Sequence, residues 1–80
     1  MMKRQEIIEE IKARLNANDD KINKHEITPV QWSKNICECY YDMMKKSGCA
    51  SGMFDMIWNA ATRAYAIEKK IYITTQFIMP

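Results

Sequence analysis

Three cysteines and one histidine are the residues of this chain with the most chemistry available to them: Cys37, Cys39, Cys49 and His25. Together they are the ligand set of a three-cysteine, one-histidine zinc site. The spacing works against it. On a helix, positions two apart point roughly 200° away from each other, so Cys37 and Cys39 do not converge on one ion, and the usual C-x₂-C pair is missing. The two thiols read as small apolar side chains packed on different neighbours. Cys49 lies in "SGCASG", just ahead of a helix start, where free backbone N–H groups stabilise a thiolate or hold an anion. A cysteine nucleophile also requires a base, and His25 is the single histidine. Glycine and serine are what a tight helix–helix turn requires, and the stretch is read as one. "NANDDKINKHE" lacks the central glycine and the terminal bidentate glutamate of an EF-hand calcium loop. No phosphate-cradling glycine loop, H-E-x-x-H or G-x-S-x-G is present. The sequence therefore predicts a non-catalytic protein with no metal and no cofactor.

Nucleic acid is the next chemistry to weigh. Lys45, Lys46, Arg63, Lys69 and Lys70 are the basic residues that a third helix and its surroundings offer to a phosphate backbone. The net charge of +2 is spread evenly, with six basic and six acidic residues in 1–28, three and two in 29–50, and three and two in 51–80. That footprint is weak for a nucleic-acid binder. The turn ahead of the third helix is longer than a helix-turn-helix uses, and Asp55 sits in that helix's first turn. A nucleic-acid-binding regulator is thus the alternative reading.

Three helices must position these residues. The first spans about 4–16, with Ile7, Ile8, Ile11 and Leu15 as one narrow stripe and Glu10 placed to pair with Arg14. "NANDD" ends it, because Asn and Asp side chains compete for backbone hydrogen bonds. Residues 17–28 form a polar connection, with a short extended piece near Glu26–Thr28. The second helix spans 29–47. Thr28 caps it, Pro29 takes the first position, Gln31 completes a capping box and Gly48 stops it. Trp32, Ile36, Cys39, Tyr40 and Met43 make one apolar stripe, with Val30, Cys37, Tyr41 and Met44 beside it. So wide an arc belongs to a central helix with neighbours on two sides. The third helix spans about 52–70, capped by Ser51, with Phe54, Ile57, Trp58, Ala61, Ala64 and Tyr65 facing inward.

The chain closes on "IYITTQFIMP", residues 71–80, which is β-branched, aromatic and uncharged. Alternation of Ile71 and Ile73 with Tyr72 and Thr74 predicts a short extended segment. An uncharged edge left open is an aggregation hazard, so the tail is expected to be covered, in part by a second copy of the chain. Seven methionines and eight aromatic residues in an 80-residue chain exceed what a three-helix core hides, and such side chains are enriched at protein interfaces. The expectation is a mainly α, single small three-helix domain with a C-terminal extended segment. It acts as a cytoplasmic interaction module, an inhibitor or adaptor, and forms a homodimer. Tyr72, Phe77, Ile78, Trp32, Tyr40 and Arg63 are the candidate contact residues. No apolar run approaches the roughly 18 residues of a membrane helix, and the first fifteen residues do not read as a signal peptide.

Overall fold

The structure, a computed structural model, describes residues 2–69. Three helices account for nearly all of them: α1 (Arg4–Asn23), α2 (Pro29–Ser47) and α3 (Ser51–Glu68). The fold is mainly α, as the sequence predicts, and no strand occurs among the described residues. The expected extended segment at 71–80 lies outside them.

The start of α2 follows its sequence signals closely. The Thr28 hydroxyl accepts the Gln31 backbone N–H at 3.1 Å, and the Gln31 side chain accepts the Thr28 N–H at 2.9 Å, closing the capping box. Gly48 ends the helix with φ 74°, a left-handed turn that glycine adopts without steric cost. At α3 the expected cap shifts by one residue. Ala50 holds the N-cap position with no side-chain bond, and Ser51 is already helical.

α1 departs furthest from expectation, running to Asn23 instead of stopping near residue 16. Asn18 and Asp19 would favour a turn if their side chains had only local backbone to bond. Here both are used across the bundle, so the competition that breaks helices is absent. Asn18 is buried. It donates to the Trp32 carbonyl at 3.0 Å and accepts from the Asn35 amide at 2.9 Å. α1 ends instead in a Schellman turn: the His25 N–H donates to the Ile22 carbonyl at 3.0 Å and the Glu26 N–H to the Lys21 carbonyl at 2.8 Å. His25 occupies the left-handed position of that turn, with φ 60°. The lone histidine thus fills a place that glycine usually takes.

The helices run up, down and up, and α1, not α2, is the central one. α1 packs along both neighbours, whereas α2 and α3 touch each other much less. Ile7, Ile8, Ile11 and Leu15 are buried between them, joined by Cys39 and Met43 from α2 and by Phe54, Ile57, Ala61 and Tyr65 from α3. Charged residues on the flanks of α1 bridge to both neighbours. Lys12 pairs with Glu68 of α3, while Glu10 accepts from Lys46 at 2.7 Å and Arg14 pairs with Asp42 at 3.2 Å, both on α2. The expected Glu10–Arg14 pair within the helix gives way to these bridges. The second apolar stripe of α2 stays outside, with Val30 and Tyr41 exposed. The molecule is flat, 39 × 32 × 17 Å, with little depth in which to hide a second layer.

Candidate interaction surface

At the end of the bundle where α1 finishes, α2 starts and α3 finishes, one carboxylate ties the three helices together. Asp19 accepts the Trp32 indole N–H at 2.7 Å and the Tyr65 hydroxyl on its other oxygen. Tyr65 is buried, and burial, followed by the bond to Asp19, pushes its phenol above the ordinary tyrosine range. Trp32 is therefore half-buried and committed to a structural bond.

Tyr40 joins α2 to α3. Its ring meets Tyr41, Phe54 and Trp58 edge-on at centroid distances of 5.2, 5.3 and 5.3 Å, and its hydroxyl donates to Asp55. That bond raises the Tyr40 phenol, with burial adding to it. Edge-to-face aromatic pairs of this kind each contribute about 0.5–1.5 kcal/mol beyond the area they bury. Tyr40 and Trp32 thus both hold helices together, with part of each ring at the surface. Arg63 is exposed on α3. Tyr72, Phe77 and Ile78 fall outside the described residues.

The basic residues of the nucleic-acid reading do not gather. Lys45 and Lys46 lie at the C-terminus of α2 and Lys69 at the C-terminus of α3, which are opposite ends of the bundle. Lys46 is paired with Glu10, and Lys70 lies outside the described residues. The cysteines separate as helical geometry requires, Cys37 exposed and Cys39 buried, the latter's thiol pushed up by burial. Among the described residues no three His, Cys, Asp or Glu side chains converge. None of the described helices is long and apolar enough to cross a membrane.

The opposite end of the bundle has a different character. There the first turns of α1 and α3 enclose a groove of about 580 Å³, lined by Met2, Ile7, Cys49, Met53, Met56 and Ile57, with Arg4 as its one charged lining residue. Met53 is 56% and Met56 73% exposed, so the groove walls are solvent-exposed thioether side chains and not closed core. Met53 and Met56 also begin a second stripe along α3. With Ala60, Ala64 and Ile67 they fall at spacings of three, four, four and three, which keeps them on one helical face. Ile67, at the far end, is 59% exposed, and the two alanines are half-buried. α3 is thus apolar on two faces, one covered by α1 and one open among the described residues.

The abundance of methionine in the sequence points to an adaptable surface without singling out these two residues. The signal was present. Met53, Met56, Ala60, Ala64 and Ile67 form a periodic set in their own right, offset from the Phe54–Ala61–Tyr65 set that fills the core.

Such a groove suits apolar side chains better than a small polar ligand. Small-molecule sites place a few convergent polar groups in an apolar pocket; this one supplies only Arg4. Unbranched thioethers re-pack around varied shapes, which is how methionine-lined surfaces take protein segments. Searches against known protein families, curated protein sequences and solved structures find no match to this chain.

Proposed function

We propose that this protein is a non-catalytic interaction module of the cytoplasm, an inhibitor or adaptor, whose methionine-lined groove and the α3 stripe running from it dock an apolar segment of a protein partner. The observation that carries this reading is the exposure of Met53 and Met56 at the mouth of a groove with one charged lining residue. Exposed apolar patches rimmed by polar residues mark interaction sites, and Arg63 lies at the edge of this one. Self-association through the same face is the form this reading takes when the partner is a second copy.

The test is photo-crosslinking in cells from a benzophenone amino acid placed at position 56, with position 34 on the outer face of α2 as control. The expected result is a discrete adduct from position 56 alone, its partner identified by mass spectrometry. With that partner purified, Met56→Glu is expected to weaken binding at least about tenfold, since a carboxylate buried against apolar groups without a bond is costly. The variant's circular dichroism and melting are expected to stay within about 0.5 kcal/mol of the parent, as for surface positions generally. A partner whose affinity ignores Met56→Glu would sink the assignment of the site.

A further inference from the structure

The groove and stripe also specify the kind of segment that fits them. We propose that the partner segment is an acidic amphipathic helix, whose apolar side chains enter the methionine-lined groove and lie along the α3 stripe while its carboxylates meet Arg4 and Arg63. This rests on the reading above that the groove is a docking site.

Shape is the first argument. From Met53 to Ile67 the stripe runs along one face of α3, a length of roughly 21 Å at the helical rise, or about four turns of a second helix laid beside it. Its ends are large, Met53, Met56 and Ile67, and its middle is small, Ala60 and Ala64. How closely two helix axes approach depends on the side chains at the contact, and the alanines let a helix settle between the larger residues. The other ways of taking a segment find no purchase here. An extended segment adds to a sheet edge, and no strand occurs among the described residues. A proline-rich segment docks in an aromatic-lined groove, and no aromatic residue lines this one.

Charge is the second argument. Arg4 lines the groove, and Arg63 follows Met56 by seven residues, two turns further along α3. Both are exposed. Neither makes an ion pair among the described residues, and residues 70–80 contain no Asp or Glu. The carboxylates nearby are already engaged. Glu9 is held by Gln5 at 2.8 Å and by Lys12 at 3.1 Å. Of the two acids of α3, Glu68 pairs with Lys12 and Asp55 accepts from Tyr40. The apolar surface is thus bordered by two guanidinium groups that the chain leaves without counter-charge, and acidic side chains beside the partner's apolar stripe supply it. Complementary charge at a rim sets orientation and rejects wrong partners.

A second copy fits less well. A two-fold pairing sets the same patch against itself, so it brings the same two arginines to the rim and no unengaged carboxylate of α3.

The experiment is a display selection against the purified full-length chain, from a library of helix-forming peptides about four turns long, with the Met53→Glu/Met56→Glu chain as counter-selection. The enriched peptides are expected to carry apolar residues at spacings of three and four with Asp or Glu beside them. They are expected to bind the Arg4→Glu/Arg63→Glu chain roughly tenfold more weakly, since each substitution turns an attraction into a repulsion. A carboxylate at position 4 suits the first turn of α1 and Arg63 is exposed, so that variant keeps its fold, which circular dichroism checks. Enriched peptides that need Met53 and Met56 but ignore the two arginines would overturn the acidic helix and leave the docking reading in place. If no enriched peptide depends on Met53 and Met56, both fall. Light scattering on the same chain covers the remaining occupant: a dimer that Met56→Glu converts to a monomer would overturn the proposal in favour of a second copy.

Discussion

The two ends of the bundle solve the same problem in opposite ways. At one end Asp19 gathers the Trp32 indole and the Tyr65 phenol while Asn18 reaches the Trp32 carbonyl, so three helix termini are joined through directional bonds. At the other, Met2, Cys49, Met53 and Met56 surround open volume with flexible apolar side chains. Directional polar contacts specify one arrangement and penalise every other. Thioethers tolerate many arrangements. The contrast teaches that registry is fixed at the sealed end, which leaves the open end free to adapt to what it holds.

The sharpest way to break that contrast is at Asp19. Asp19→Ala leaves the Trp32 N–H and the Tyr65 hydroxyl without their acceptor. Each stranded group costs about 1–3 kcal/mol, so a loss of about 2–4 kcal/mol is expected. A core of this size supplies only about 3–5 kcal/mol, so urea titration followed by circular dichroism should find most of the stability gone and the midpoint far below the parent's. A loss under about 0.5 kcal/mol would mean the knot does not specify the fold. Met56→Glu is the matching probe at the open end, where stability barely moves.

Tyr65→Phe removes one arm of the knot and keeps the ring, with an expected cost of about 1–2 kcal/mol. It also has a pH signature. Burial and the Asp19 bond raise the folded-state phenol above its ordinary value. Below pH 10 both folded and unfolded chains hold the proton, and the contribution is complete. Above it the unfolded chain releases the proton first, so stability falls as pH rises toward the folded-state value, by up to about 1.4 kcal/mol per pH unit. Urea midpoints between pH 9 and 11 should fall more steeply in the parent than in Tyr65→Phe. Parallel slopes would exclude Tyr65 as the titrating group.

The smallest effect sharpens the comparison at the sealed end. His25 sits at φ 60° in the Schellman turn that closes α1. A residue with a Cβ pays about 1–2 kcal/mol there, partly offset in His25→Gly by the larger freedom of unfolded glycine. A net gain of a few tenths to about 1 kcal/mol is expected in thermal melts, and a loss would reveal a bonding role for the imidazole.

How far all this was legible in the sequence depends on how local the deciding interaction is. Thr28, Pro29, Gln31 and Gly48 act within a few residues of themselves, and α2 lies where they place it. Asn18 and Asp19 look like helix breakers in the sequence because their partners, Trp32, Asn35 and Tyr65, stand 13 to 46 positions away. The width of the α2 apolar arc suggested a central helix, yet the middle went to α1, whose isoleucines are few but flanked by charges of both signs that bridge to either neighbour. Trp32 and Tyr40 are contact candidates by type alone, and type does not reveal that each has an intramolecular acceptor. Met53 and Met56 were legible by period, had the two stripes of α3 been separated.

The central place of α1 also bears on the order in which the protein is made. Its isoleucines emerge first from the ribosome, but their cover arrives with Met43, then with Phe54, Ile57 and Ala61. An α1–α2 hairpin alone leaves the α3-facing side of α1 bare, and helices in proteins draw most of their stability from tertiary packing. The nascent chain therefore carries an exposed apolar face until residues near Tyr65 have cleared the exit tunnel, the stage at which such surfaces attract chaperones or aggregate. Removing α3 is therefore expected to uncover Ile7, Ile11 and Leu15 and to cost the remaining two helices their fold, which circular dichroism of a chain ending at Gly48 would test.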